Sequence, residues 1–515
     1  MESLDQLESF AMTVRDEGYR HVVLLGMGGS SLCAEVIEKS FGKLGKENGF
    51  PDFRILDSTD PIQIRELERA ISIEDTLFIV SSKSGSTLEP NILFDYFFGR
   101  VKECVGRSDA GSHFIAITDP GSSLEKRAKE IGFREIFFGD PSIGGRYSIL
   151  SNFGIVPAAL MGVRIKEFLA HTLHMVHACG SDVSASENPA LILGAILGTL
   201  GRSGRDKVTL VCSRDLEGFG AWAGQLLAES TGKQGHGLIP IVREAVLSSE
   251  GYGSDRVFIY IRSDSSIDHE LDAKISALES ADQPVVRISI PGIYNLGQEF
   301  FRWEAATAVA GAILGINPFD QPDVEASKNE TRSLTDQYEK TGSMPTEIPV
   351  FQNDDIQIFD DQANYSGNKN DKSDVSDFLR AHFNRINPGD YFAILAYIPM
   401  NSRDDELLQQ LRAQVLRVKK VATCVEFGPR FLHSTGQVYK GGQNSGVFLQ
   451  ITSHDVADLS IPGHRYTFGV VKAAEARGDL AVLSQRHRRV LRVHLRRDPD
   501  SGLQCLRQAV EKAVA

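Results

Sequence analysis

The chain has 515 residues, 42% hydrophobic and 24% charged, and its 68 acidic against 55 basic side chains leave a net charge of −13. This composition excludes a disordered or fibrous protein, and the length asks for three or so domains of roughly 100–200 residues each. The acidic balance argues against nucleic acid and against anionic membranes as partners.

The one basic run, "SQRHRRVLRVHLRR" at 484–497, has the alternation of a strand with solvated flanks. The N-terminal "MESLDQLESFAMTVRDEG" is acidic and amphipathic, without the basic and apolar regions of a secretory signal. No uncharged apolar run reaches the roughly 18 residues a membrane helix needs. The six cysteines (33, 104, 179, 212, 424 and 505) form no CxxC pair and read as reduced, mostly buried thiols. A soluble, cytoplasmic protein is expected.

In chain order, the first apolar runs are "HVVLLGM" (21–27), "DFRILDS" (52–58), "TLFIVSS" (76–82), "HFIAITDP" (113–120) and "REIFFGD" (134–140), with helical patterns between them. Unbroken apolar strands separated by crossover helices predict a doubly wound α/β domain with a parallel sheet covered on both faces, assigned to 1–160. A helical stretch near 155–178 follows. Strands at 207–213, 256–262 and 284–290, with helices at 217–230, 268–281 and 296–314, predict a second such domain over 161–335. Residues 336–375 are rich in Asp, Asn, Ser and Gly and read as a polar linker. Four further apolar runs, at 391–399, 419–427, 445–452 and 488–495, predict a smaller C-terminal α/β unit over 376–515.

Two loops stand out. In "TLFIVSSKSGSTLEP" (76–90) a buried strand ends in a cluster where Ser82, Ser84, Ser86 and Thr87 offer hydroxyls, Lys83 a charge and Gly85 close backbone approach. Beyond the carboxyl ends of parallel strands, where helix N-termini present free N–H groups, such a cluster suits a phosphate, although it also suits a plain helix cap. "LLGMGGSSL" (24–32) brings Gly26, Gly28, Gly29, Ser30 and Ser31 to the same sheet edge. Its GxGGSS spacing is neither the dinucleotide GxGxxG nor the Walker GxxxxGK[ST]. A phosphorylated small molecule is favoured over a nucleotide.

Together these loops resemble the sugar-isomerase (SIS) phosphosugar-binding domain. "SIGGRYSILSNFG" (142–154), "GQLLAESTGK" (224–233) and "LGINPFDQPDVEASK" (314–328) are similar, in family order, to the signatures of the phosphoglucose isomerase family. The C-terminal third, with "RFLHSTGQVYKGGQNSGVFLQIT", is most similar to the isomerase half of bifunctional transaldolase/phosphoglucose isomerase proteins.

The resemblance implies interconversion of glucose 6-phosphate and fructose 6-phosphate by ring opening and proton transfer through a cis-enediolate. It makes Glu229 the base and Arg146 the cation beside the enediolate, with Gly145 at the substrate, and it gives Lys328 and a histidine the opening of the ring. A carboxylate can carry a proton between adjacent carbons, and an arginine cannot compete for it. Gly29, Ser30, Ser82, Lys83, Ser84 and Thr87 would hold the phosphate.

The histidine departs from the family pattern. The segment similar to "LHSLGQ", which lies between the Glu and Lys motifs in single-function bacterial relatives, stands after Lys328 in this chain as "FLHSTGQVYKGG". His433 is therefore expected to take the role, relocated in sequence while keeping its place in space. His236, in a Gly-rich turn near Glu229, is the competitor.

In the relatives this His comes from the neighbouring subunit, so the resemblance also implies a homodimer. No cofactor and no metal are implied. A transaldolase partner or fusion, side activity on mannose 6-phosphate, a non-catalytic phosphosugar sensor and an accessory subunit remain alternatives.

Overall fold

The computed structural model describes residues 2–360, 374–455 and 457–514. The chain opens with α1 (Glu2–Asp16) and builds a five-stranded parallel sheet in the order β2-β1-β3-β4-β5. Its strands are β1 (His21–Gly26), β2 (Asp52–Leu56), β3 (Thr76–Ser81), β4 (Phe114–Thr118) and β5 (Glu135–Phe138). Every residue of β3 and β4 is buried, as befits strands covered on both faces by α2 (Gly29–Glu47), α3 (Pro61–Ala70), α4 (Leu88–Val105) and α5 (Ser123–Ile131). Strand order reverses about β1, so β1 and β3 carry their following loops to a common crevice, the place where open α/β sheets bind ligands.

Helices α6 (Asn152–Leu160), α7 (Ile165–Ala178) and α8 (Pro189–Arg202) lead to a second parallel sheet ordered β7-β6-β8-β9. It comprises β6 (Lys207–Cys212), β7 (Ile239–Val242), β8 (Arg256–Ser263) and β9 (Val285–Ile290), with α9 (Glu217–Thr231), α10 (His269–Ser280) and α11 (Leu296–Leu314) as its helices. One continuous apolar core runs from β1 through Phe41, Phe153 and Phe168 to Trp222, Phe300 and Trp303 of the second unit. The two sheets are thereby set rigidly against each other.

Helix α12 (Val324–Thr341) leads into residues that do not behave as a linker. β10 (Phe351–Gln352) and β11 (Ile356–Asp360) form an antiparallel pair, and β11 continues onto the last strand of the chain. The polar composition of 336–375 hides a short alternation in which Ile356 and Ile358 are fully buried. The remainder of that stretch, 361–373, lies outside the described residues.

The third sheet is ordered β10-β11-β15-β14-β12-β13 and is mixed. Its parallel part is β12 (Tyr391–Tyr397), β13 (Ala422–Phe427), β14 (Gly446–Ser453) and β15 (Arg489–Leu495). α13 (Val375–Phe383), α14 (Ser402–Lys419), α15 (Gly436–Gly441), α16 (Phe468–Gln485) and α17 (Pro499–Val514) complete it. Two parallel-sheet units followed by a third α/β unit is thus the architecture. Among the described residues no helix is long and apolar enough to cross a membrane.

The third unit is welded to the other two. Phe468 and Val471 at the start of α16 join the apolar cluster on the outer face of the first sheet. Arg430 pairs with Glu35 at 2.8 Å and Asp57 at 2.7 Å, and Lys472 with Asp60 at 2.7 Å. Toward the second sheet, Glu244 accepts from Arg256 at 2.8 Å and from the Thr423 backbone at 2.9 Å.

His494, on Thr452 at 3.0 Å, makes the third unit acid-sensitive. Burial, reinforced by the charge of Arg492, pushes its imidazole down to about 4 from an ordinary 6.5. The folded chain then binds fewer protons there than the unfolded chain, so this stability is complete above about pH 6.5 and lost as the pH falls toward 4. The loss is about 3 kcal/mol. Urea unfolding at pH 7 and pH 4.5 should show a drop that His494→Gln diminishes; an equal drop in the variant would refute the assignment.

Candidate active site

The loops after β1 and β3 and the start of α12 enclose a cleft of about 790 Å³ together with Arg146, Glu229 and His433. At one end the N-termini of α2 and α4 converge. Their N-cap residues, Gly28 and Thr87, make no side-chain cap; the Ser30 and Ser31 amides turn back on the Met27 and Gly28 carbonyls at 3.2 and 3.0 Å, and the positive dipole ends of both helices face the cleft. Ser30, Ser84, Ser86 and Thr87 line this end, with Ser84 and Ser86 hydroxyls 3.0 Å apart. Hydroxyls and helix dipole together make an anion end.

Two expected members sit differently. Ser82 does not line the cleft: it is 3% exposed and its hydroxyl reaches only Thr87, at 3.4 Å. Lys83 does line it, but its Nζ is held by both Asp119 oxygens at 2.8 and 2.6 Å and by the Asp140 carbonyl at 2.7 Å. An ammonium has three donors, and these partners take them up. Lys83 fastens the β3 loop to the β4 loop.

Gly29 serves approach. A Cβ there would lie 2.2 Å from the Gly145 carbonyl, so only glycine lets the α2 N-terminus touch the turn that carries Arg146. Gly28 combines a φ of +57° with a Cβ direction blocked at 2.7 Å by the His433 carbonyl. Gly145 itself faces open space on the cleft.

At the other end Arg146 is 2% exposed and makes five hydrogen bonds. Nε donates to Ser230 at 2.8 Å, one terminal nitrogen to Glu229 at 3.2 Å and Gln321 at 2.9 Å, and the other to the carbonyls of Pro318 at 2.7 Å and Asp320 at 3.0 Å. The guanidinium is fixed in one pose with its charge against Glu229.

The supporting loop is fastened by Lys233, whose Nζ reaches the Asn317 carbonyl at 2.7 Å and the Asp320 carboxylate at 2.7 Å. Burial lowers the proton affinity of Lys233, and Asp320 restores part of it. Gln225, one turn before Glu229 on α9, donates to Glu229 at 3.1 Å and to the His433 carbonyl at 2.8 Å.

His433 and Lys328 complete the wall. His433 Nε2 lies 2.6 Å from Glu89, the second residue of α4. Lys328, on the first turns of α12, lines the cleft and pairs with Glu325 at 2.8 Å. His236 is exposed and lies outside the cleft.

Contacts of α15 with the end of α9 and the start of α12 explain how a distant segment reaches the site. Gln437, fully buried, donates to the Gly232 carbonyl and to Asp323, each at 2.7 Å, and accepts from the Asp323 backbone at 3.0 Å. It ties the end of α9 to the start of α12. Gly232 and Gly441 permit the contact, since a Cβ on Gly232 would meet Val438 at 2.3 Å and one on Gly441 would meet Asp323 at 2.2 Å.

Several of these roles were not assigned from sequence. Glu89 belongs to the quoted hydroxyl loop, Lys233 closes the Glu motif, and Gln225 stands at the i−4 position of Glu229, where a helix places side-chain neighbours. Gln321 lies in the Lys motif. Gln437 is the closing Gln of the segment similar to "LHSLGQ", where it is given no role.

A cleft at the carboxyl edge of a parallel sheet, anion-binding at one end and holding at the other a carboxylate from α9 of the second unit on a guanidinium, defines an SIS-type phosphosugar isomerase. Among solved structures, a glucose-6-phosphate isomerase from Chlamydia trachomatis shares this fold with a TM-score of 0.55 at 23% identity, covering 64% of this chain and 72% of that one. A hypothetical protein from Thermus thermophilus does so with a TM-score of 0.58 at 23% identity, covering 64% and 87%. A family model for phosphoglucose isomerase matches residues 5–238.

The glucose-6-phosphate isomerase of Carboxydothermus hydrogenoformans is 30% identical over 386 residues, 65% of this chain and 82% of the relative. That of Rubrobacter xylanophilus is 29% identical over 374 residues, 64% and 86%. The chain belongs to the phosphoglucose isomerase family. It is an aldose–ketose isomerase.

Proposed function

We propose that the chain interconverts glucose 6-phosphate and fructose 6-phosphate in this cleft, with each step carried by groups of a single chain. The observation that carries the reading is the Glu229–Arg146 pair, set across the cleft from the uncapped helix N-termini. Ser30, Ser84, Ser86 and Thr87 hold the phosphate at the positive dipole ends of α2 and α4, and Ser82 and Lys83 shape the loop that presents them. His433 and Lys328 move protons between the ring oxygen and the C1 hydroxyl as the C1–O5 bond opens. Glu229 takes the C2 proton of the open aldose and returns it to C1, while Arg146 faces the negative charge on the enediolate oxygens.

The contact at 3.2 Å between Arg146 and Glu229 is the longest of the five, and it is the one a substrate oxygen replaces most easily. A cytoplasmic setting goes with the reading. A homodimer or an association with a transaldolase is compatible with it, but the cleft already holds a histidine of its own chain.

Conversion of fructose 6-phosphate to glucose 6-phosphate by the purified chain is the direct test, and an active-site-intact protein that binds the sugar without turning it over would sink the proposal. A sharper form separates the ring-opening step. His433→Ala should lose about 10²-fold in kcat/KM on glucose 6-phosphate. The same variant should stay within a few-fold of wild type on a 4,5-dideoxy analogue, which has no hydroxyl able to close a five- or six-membered ring. Equal losses on both substrates would assign His433 elsewhere.

A further inference from the structure

Behind His433 the structure brings together two buried carboxyl groups from different units. Glu89, at the start of α4, is 5% exposed, and Glu475, in the middle of α16, is 1% exposed; both border the cleft. Their side chains lie within hydrogen-bonding reach of each other. Two ionised carboxylates are both acceptors and cannot bond to each other, so this contact requires a proton on one of them.

The surroundings decide which one. Glu89 faces the His433 ring at 2.6 Å and sits in the first turn of a helix, where free N–H groups and the dipole favour negative charge. Glu475 has one donor, the Thr59 hydroxyl at 2.7 Å on Oε2, and its Oε1 is buried without any donor. Such an oxygen is costly to bury as an anion and is satisfied when it carries the proton itself.

We propose that Glu475 is a positioning residue for ring opening: it is held protonated, donates to Glu89, and thereby sets how firmly the Glu89 carboxylate holds the proton of His433. The chain of contacts runs Thr59, Glu475, Glu89, His433. This rests on the reading of His433 as the ring-opening group.

The other titratable groups facing Glu475 are Lys472, one turn earlier on α16, and Tyr397 at the end of β12. Lys472 is committed to Asp60 at 2.7 Å and Asp455 at 2.5 Å. The electrostatics agree with the geometry. Burial, and then the charge of Glu89, push the Glu475 carboxyl well above the usual carboxylate range. Burial opposes the Glu89 charge as well, but the His433 ring and its hydrogen bond outweigh this and hold Glu89 below that range.

The experiment has a direct and a linked reading. Infrared difference spectra of wild type minus Glu475→Gln at pH 8 should contain the stretch of a protonated carboxyl; the bands of an ionised carboxylate instead would overturn the proposal. This measurement needs no turnover, so an inactive chain would count against the isomerase reading while leaving Glu475 to be decided by its spectrum.

For the linked reading, Glu475→Leu leaves Glu89 a stronger base. The His433 titration followed by ¹⁵N NMR should then rise by roughly one pH unit, and the matching limb of kcat/KM should move with it. Glu475→Gln, which can still donate to Glu89 and accept from Thr59, should recover the wild-type titration. An unmoved titration in Glu475→Leu, or a Gln variant that behaves as the Leu variant does, refutes the role. Should Glu475→Leu fail to fold, Thr59→Val, which strips the donor from Glu475 Oε2, replaces it and should again move the His433 titration; no movement there refutes the role equally.

Discussion

Glu229→Gln is expected to lose about 10³-fold in turnover while retaining sugar-phosphate binding, because the substitution removes the base and little else. The amide has the shape of the carboxylate, sits on the same turn of α9, and still offers an oxygen to Arg146. Only the contact with Gln225 changes sign, since two amide N–H groups cannot donate to each other. That costs about 1 kcal/mol of stability, small beside the roughly 4 kcal/mol that a 10³-fold rate loss represents. Coupled assays beside calorimetric titration with a sugar phosphate separate the two effects. A variant that turns over within tenfold of wild type would remove Glu229 from the chemistry.

The second large effect falls on Arg146. Arg146→Lys keeps the charge but replaces five fixed donors by three on a flexible stem. The buried Ser230 hydroxyl or the Pro318 carbonyl is then left without its guanidinium donor. We expect kcat to fall by about 10²–10³-fold, as for loss of an oriented donor at a developing oxyanion. KM should change much less, because the phosphate end is untouched and the missing interaction belongs to the transition state. The melting temperature should fall as well, since the 317–321 loop is left on its Lys233 anchor. An Arg146→Lys enzyme with normal kcat and raised KM would mean that the guanidinium binds substrate uniformly instead of stabilising the enediolate.

How far the sequence can be read depends on whether a feature is local. Fully buried parallel strands are continuous apolar runs, so β1, β3, β4, β6, β8, β12 and β14 stand where the pattern puts them. β7 is only four residues long, in "LIPIV" beside a Gly-rich turn, and gives no such run. β11 is masked by its acidic neighbours.

The same distinction governs the site. The motif residues that gather at the cleft each announce themselves within a short string. The partners of those residues do not: Asp119, which engages Lys83, is 36 positions away, and Glu89 is 344 from His433. Ser82 illustrates the opposite error, since a hydroxyl in the right string can still point beneath the loop instead of into the cleft.

One consequence follows from the place of His433. Every side chain assigned to the reaction lies on one polypeptide, and the piece bearing the histidine is fastened by Arg430, Lys472 and Gln437 to the two units it serves. Closing the cleft is therefore an intramolecular event, driven by the effective concentration of a tethered segment instead of by encounter between molecules. On the reading of His433 proposed above, catalytic competence becomes a matter of chain connectivity, and the specific rate is expected not to fall on dilution.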